Sequence, residues 1–440
     1  MENSKIFCIL IAFACSFSFG YVADSAEPIP LGLLLPYTGD WAWVGAGADP
    51  GAELAVQEIN ADPEYCPLRR PIKLYKEDTG TKSKLAIQGA RKLYDIHKAV
   101  GIVGPTSATV LSVVPLSKEA GALQISPTAG TTKLDVIGGG INDQHIYRTV
   151  SSDVAMTAGM VYYAIKTFKP KKAATFTADT DGSRSIHRGV VDACKVKNLP
   201  LVAEIEFSPS QTSYHTELKK LFKDKPDVIF WEANPETDAI IFKDWYEMGL
   251  GGQWVGSDFA NRISAKASLP ASEGAIGVNP GVLENQRTRA WEKRLNMVSG
   301  KPGITPFSAN TYDAVMIFAL AIEKAQSAER RAIINAARKV AQPPGEKVTT
   351  YTEGIKALRA GKEINYEGIS GTQDWNIFGD PITYLKVEVM TTKDLSGMKR
   401  IGTVVPDDIL DIINGVLKLR IKFTKFSPTK SKTKKDRSTK

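Results

Sequence analysis

Two stretches of the chain pair hydroxyl side chains with the start of a helix. Gly104-Pro105-Thr106-Ser107-Ala108-Thr109 follows the apolar run Ala99–Val103, and a helical pattern begins there. N–H groups at a helix start have no intrahelical partner, so with the Ser107 and Thr109 hydroxyls they make a small anion site. Ser107 can cap its helix as well, since the two roles are compatible. The next apolar run, Leu123–Ile125, ends at Ser126-Pro127-Thr128-Ala129-Gly130-Thr131. Ligands of parallel sheets sit beyond the carboxyl ends of strands, so these two loops can face one carboxylate together. Farther on, Gln253–Val255 ends at Gly256-Ser257-Asp258. Asp258 can meet a cationic group across a cleft, or it can cap a helix. Trp41, Trp43 and Trp231 fall on expected loops or strand ends, where rings either wall a pocket or pack in the ordinary way.

Other chemistries lack their residues. His97, His145, His187 and His215 show no metal-ligand spacing, and there is no HExxH, CxxC, Walker loop or GxSxG elbow. No metal, cofactor or catalytic residue is expected. Gly45-Ala46-Gly47-Ala48-Asp49-Pro50-Gly51 resembles a dinucleotide fingerprint superficially, but Pro50 stands where its third glycine belongs. The stretch Pro36–Asp49 is read as a loop whose glycines let it pass near a ligand, with Asp49 capping a helix Pro50–Asn60.

The elements that carry these loops alternate. Short apolar strands at 29–35, 72–75, 99–103 and 123–125 are separated by helical patterns at 50–60, 82–96 and 107–120. The same order restarts after Tyr147-Arg148-Thr149, with strands at 173–177, 201–207, 228–231 and 253–255 among helices. Such alternation predicts an α/β fold with mainly parallel sheets covered on both faces. A further α/β stretch holds the long helix 310–324, and 383–390 reads as a late strand.

The chain has 440 residues, 43% apolar and 24% charged, with a net charge of +8. Lys418–Lys440 contains ten basic residues and one acid, so it carries +9 and leaves −1 for the rest. The near-neutral body implies no nucleic-acid partner. Residues 406–440 are read as a basic, disordered tail, in which the apolar Ile409–Val416 is able to form a short helix. Lys5 and the nine-residue apolar run Ile6–Ala14 read as an exported protein's signal peptide over residues 1–26. Cys15 fits a lipid-attachment site poorly. Cys66 and Cys194 remain after export and are read as free thiols.

The order of these loops resembles the leucine/isoleucine/valine-type substrate-binding proteins of ABC transporters, a type I periplasmic-binding fold. The residues that carry the resemblance are Ile29–Pro36 with Thr38-Gly39, Gly51–Asn60, Ile102–Pro105 with Ser107, and Gln124–Pro127. Tyr147–Thr149 with Asp153, Asn310–Ala314 and Gly368–Gly371 complete it. The resemblance implies two lobes, three hinge crossovers, and closure of the cleft around a small amino acid or carboxylate for delivery to a membrane permease. It places the first lobe at 27–148 and 281–345 and the second at 149–280 and 346–395. It assigns the ligand carboxylate to Ser107 and Thr128–Gly130, the ammonium to Asp258, and the first-loop aromatic region to Trp41–Val44. Two positions depart from it: Gly130 replaces a threonine, and Asp181-Gly182 replaces a Tyr-Gly, exchanging an aromatic wall for a charge. A monomer is expected.

Overall fold

The computed structural model describes residues 27–137, 144–209, 211–257 and 260–423; the signal-peptide expectation, Asp258 and residues 424–440 lie outside these. The first lobe opens with β1 (Ile29–Leu35), α1 (Ala42–Asn60), β2 (Ile72–Asp78) and α2 (Ser83–Arg91). It continues through β3 (Gly101–Val103), α3 (Ser107–Glu119), β4 (Leu123–Ser126), α4 (Leu134–Ile137) and β5 (Ile146–Arg148). Its strands pair in parallel in the order β2-β1-β3-β4-β5. β1 is apolar along nearly its whole length because helices cover both faces.

The second lobe follows with α5 (Asp153–Phe168), β6 (Ala173–Ala178), α6 (Asp181–Val196), β7 (Leu201–Phe207), α7 (His215–Leu221) and β8 (Val228–Glu232). Then come α8 (Pro235–Glu247), β9 (Gln253–Gly256), α9 (Arg262–Ser268) and β10 (Ile276–Pro280). The chain returns to the first lobe with α10 (Gln286–Ser299), α11 (Ser308–Ala325), α12 (Arg330–Ala341), β11 (Glu346–Val348), α13 (Tyr351–Arg359) and β12 (Ile364–Tyr366). It ends on the second lobe with β13 (Leu385–Met390), β14 (Met398–Val404) and α14 (Leu410–Phe423). The second sheet runs β14-β13-β10-β9-β8-β6-β7, parallel except where β13 pairs with β10 and β14.

Three differences from the sequence reading have physical causes. Residues 346–375 belong to the first lobe, since Val348, Tyr351, Ile355, Ile364, Tyr366, Ile369 and Trp375 join its core. Buried Asp313 of α11 holds that segment, accepting from the Tyr366 hydroxyl at 2.9 Å and from the amides of Ile369 and Ser370 at 2.9 and 2.8 Å. The start of the supposed tail is folded: Ile409, Ile412, Ile413 and Val416 are buried in the second-lobe core. Finally, α1 begins at Ala42 and runs through Pro50, so 42–49 is helix and Asp49 is no cap. Its glycines form a packing seam. A Cβ on Gly45 would lie 2.1 Å from the Pro36 carbonyl oxygen, and one on Gly51 1.9 Å from that of Ser308.

The crossovers are pinned side by side. Asn310 Nδ2 donates to the Thr149 carbonyl at 2.6 Å, and the Thr149 hydroxyl donates to the Asn310 carbonyl at 2.7 Å. The Ser151 and Thr383 hydroxyls lie 2.9 Å apart.

Candidate functional site

The carboxyl ends of β3 and β4 carry two loops that are tied to each other. Gly104 passes the backbone of β1 so closely that a Cβ would sit 2.0 Å from the Leu34 carbonyl oxygen, and its φ is +116°; only glycine fits. The Ser126 hydroxyl donates to the Pro105 carbonyl at 2.7 Å and accepts from the Ala129 amide at 2.9 Å. Ser107 Oγ, at the start of α3, accepts from the Thr131 amide at 3.3 Å.

Arg148, 1% exposed at the end of β5, sets the shape of the second loop. Its Nη1 donates to the carbonyls of Ala129, Gly130 and Thr131 at 3.3, 2.7 and 3.0 Å. A planar trans peptide sets the next N–H opposite each carbonyl. The Thr131 and Thr132 amides therefore point away from the guanidinium, to Ser107 Oγ and to Ser185 Oγ of the second lobe, each at 3.3 Å. Two carboxylates neutralise the buried cation, Asp380 at 2.7 Å and Asp135 on the other side. Burial, aided by the Asp380 charge and opposed by Arg148, pushes the Asp135 carboxyl up to about 7.

Around these amides the hydroxyls of Thr106, Thr109 and Thr128 are buried with no hydrogen-bond partner among the described residues. Most buried polar side-chain atoms in folded proteins have a partner, so three orphans at two adjacent strand ends make this a candidate place for one supplied from outside the fold. The Ala129 side chain is fully buried beside Val110 and Leu134 and anchors the loop. Gly130 is explained by Asp153, the first residue of α5, whose Oδ1 would lie 2.1 Å from an added Cβ. The Asp153 amide also donates to the Gly130 carbonyl at 2.8 Å.

The first loop is held by Asp78 at the end of β2, which accepts from the amides of Tyr37 and Gly80, each at 2.8 Å. Burial favours its neutral form, but the Thr38 hydroxyl and the amides of Gly80, Tyr37 and Thr38 outweigh it and hold the carboxyl below its usual range. Trp43 stands half-buried in the first turn of α1, 6.3 Å from the Phe307 ring. Trp231 is core, not wall: it is 1% exposed and its Nε1 donates to Asp238 at 3.1 Å. Burial pushes the Asp238 carboxyl up to about 8 despite donors from Ser264 and Trp231.

The lobes meet across the cleft, α3 packing against α6 and Thr132 Oγ1 lying 3.4 Å from Ser185 Oγ. Asp181 is the first residue of α6, behind the Thr180 cap. At the ends of β8 and β9, Glu232 is 1% exposed and accepts from the Ser257 hydroxyl. Cys66 and Cys194 are both buried and unpaired, one in each lobe. His215, Asp244 and Glu247 bring donor atoms together on α7 and α8, a grouping that sequence spacing hides; one Asp244 oxygen already accepts from Ser213 Oγ and the Tyr214 amide.

Sequence reasoning singled out Ser107, Thr109 and Thr128 and did not single out Thr106, Arg148, Thr132, Ser185 and Glu232. A charged residue closing a short apolar strand, as in Ile146-Tyr147-Arg148 and in Val228–Glu232, is the signal that could have found two of them.

The family model for periplasmic binding proteins matches residues 28–353. The chain belongs to the periplasmic binding protein family. One relative, the Leu/Ile/Val-binding protein BraC3 of Rhizobium johnstonii, is 25% identical over 324 residues, covering 71% of this chain and 83% of that one. Among solved structures, the leucine-binding protein LivK of Thermotoga maritima has a TM-score of 0.71 at 20% identity, covering 86% of this chain and 99% of that one. A solute-binding protein of an R. palustris ABC transporter, in complex with benzoate, has a TM-score of 0.67 at 20% identity, covering 87% and 99%. Both share the type I periplasmic-binding fold. No helix among the described residues of this family member is long and apolar enough to cross a membrane.

Proposed function

We propose that this protein captures a small carboxylate-bearing solute, first of all an amino acid of branched-chain type, between its lobes. It then presents the solute to an ABC-transporter permease outside the cytoplasmic membrane. Family membership supports the extracytoplasmic location and the role of binding without catalysis. One observation carries the ligand class: the three unpartnered threonine hydroxyls at the ends of β3 and β4 offer donors to an anion. The open protein takes the ligand carboxylate on the first lobe through Ser107, Thr128 and neighbouring amides. Hinge rotation about the three crossovers then brings the second lobe over it. Water leaves, and the charge-assisted hydrogen bonds strengthen. Asp258 and Asp181 stand on the second-lobe side of this proposal.

A second reading, capture of aromatic or other amine-free acids, is favoured by one feature: the first-lobe donors recognise a carboxylate without reference to an amine. Thermal unfolding of the purified protein against amino acids, benzoates and amides tests both. A true ligand at about 100 times its dissociation constant adds about 2.7 kcal/mol. A shift with leucine, isoleucine or valine supports the first reading and a shift with benzoates alone the second. No shift with any carboxylate contradicts both.

A further inference from the structure

Helices α7 and α8 of the second lobe hold a cluster of donor atoms that the cleft does not use. Nε2 of His215, the first residue of α7, lies 3.4 Å from Oδ1 of Asp244 in α8. Donor atoms of these two residues and of Glu247 all lie within 4.8 Å of one another. Asp244 and Glu247 are three positions apart on α8 and so share one face. The histidine reaches them from the other helix. Apolar packing fixes both backbones, since Leu218 and Leu221 of α7 and Ile241 and Phe242 of α8 share one core. Asp244 is 6% exposed. Its Oδ2 accepts from Ser213 Oγ at 2.9 Å and from the Tyr214 amide at 2.6 Å, which leaves Oδ1 to the histidine. Ser213 Oγ also accepts from the His215 amide at 3.4 Å, so one serine ties the two residues in place.

We infer that His215, Asp244 and Glu247 form a binding site for a divalent transition-metal ion of the zinc class, which joins α7 to α8. A direct N–H···O hydrogen bond spans about 2.7–3.2 Å, and the 3.4 Å between His215 and Asp244 exceeds it. Zinc holds histidine nitrogen at about 2.0–2.1 Å and carboxylate oxygen at about 2.0–2.2 Å, so two such ligands at a tetrahedral angle stand about 3.3–3.5 Å apart. The separation is that of two zinc ligands. Glu247 supplies the third. Its ion pair with Lys243 is long, 3.9 Å, and both side chains are exposed, so giving it up costs little. The fourth position is left to water, as in other three-ligand sites. The imidazole sets the choice of ion, because magnesium and calcium take oxygen ligands whereas nitrogen suits zinc and its neighbours. Ser213 and the Tyr214 amide orient the Asp244 carboxylate as outer partners of a metal ligand do. The sequence reading expected no metal, since residue 215 and residues 244–247 meet only through the packing of two helices.

The test is calorimetric titration of the untagged full protein with zinc chloride, for the wild type, His215→Ala, Glu247→Gln and Ser213→Ala. His215 and Glu247 are exposed, so their variants keep the fold. The expected result is one zinc ion per chain at micromolar affinity or tighter, with a loss of more than about tenfold in His215→Ala and in Glu247→Gln. Ser213→Ala keeps all three ligands and loosens two of them, and a loss of about 10-fold is expected there. His97→Ala removes a histidine that stacks on Tyr75 in the first lobe and should keep the full affinity. Zinc should also raise the melting temperature of the wild type and leave that of His215→Ala unmoved. A wild type that takes up no zinc overturns the inference. So does zinc binding that is unchanged in both His215→Ala and Glu247→Gln, which would place the ion elsewhere. Magnesium or calcium bound as tightly as zinc would overturn the assignment of the ion's class.

Discussion

Thr106, Thr109 and Thr128 each bury a hydroxyl without a partner among the described residues. Leaving such a group unsatisfied costs about 1–3 kcal/mol. The fold keeps three of them at adjacent strand ends, which makes sense if a bound anion accepts from them. Thr128→Val retains the shape and deletes the hydroxyl. It should leave the ligand-free melting temperature unchanged or higher and weaken carboxylate binding about 10- to 100-fold, the worth of a hydrogen bond to a charged group. A paired melting curve and titration checks this, and unchanged affinity would remove Thr128 from the site. The residues of this site differ in how visible they were. Ser107, Thr109 and Thr128 could be read because a strand–loop–helix pattern advertises strand ends. Arg148 could not, because its partners Asp135, Asp380 and the 129–131 carbonyls come together only through the topology. Glu232 was hidden because the apolar run before it seemed to end at Trp231, one residue short of the strand.

Helix α14 shows what charge composition conceals at the scale of an element. Ile409, Ile412, Ile413 and Val416 recur at helical spacing and are buried against α5 and α6. The lysine-rich sequence that follows led to the stretch from Pro406 being assigned to a tail, with no more than a short helix at Ile409–Val416 and no place in the core. Arg420 Nε reaches Asp192 of α6 at 2.9 Å, and the Tyr162 hydroxyl of α5 donates to Asp408 at 2.7 Å, so even charged residues here dock the helix. Ile412→Ala should cost about 2–5 kcal/mol, the usual range for a buried isoleucine truncated to alanine. Denaturant unfolding measures it, and a loss under about 0.5 kcal/mol would mean α14 is dispensable to the second lobe. Helix α1 was misread for a different reason. Pro50 looks like a first helical residue, yet it lies inside the helix, and Gly45, Gly47 and Gly51 serve close packing instead of a flexible loop. The parallel strands were legible because burial on both faces leaves continuous apolar runs, whereas the antiparallel β14, Met398–Val404, alternates too weakly to stand out.

At the scale of the molecule, alternating strands and helices predicted two α/β units. Sequence order could not tell which lobe receives the returning chain. Residues 346–375 go to the first lobe because Asp313 of α11 binds the 366–370 turn, a contact between residues more than fifty positions apart. The crossovers, pinned through Thr149–Asn310 and Ser151–Thr383, leave rotation of one lobe on the other as the available large motion. The central claim is that ligand holds the lobes in the arrangement where they touch, and Thr132 opposite Ser185 reports it directly. The measurement is the rate of disulfide formation in a Thr132→Cys, Ser185→Cys variant under mild oxidation, with and without a saturating amino acid. Cys66 and Cys194 are buried, and burial raises both thiols, Cys194 to about 12, so neither competes. The account predicts that the amino acid speeds crosslinking several-fold and that the crosslinked protein releases its ligand more slowly. A rate unaffected or slowed by every carboxylate that binds would contradict closure around the solute.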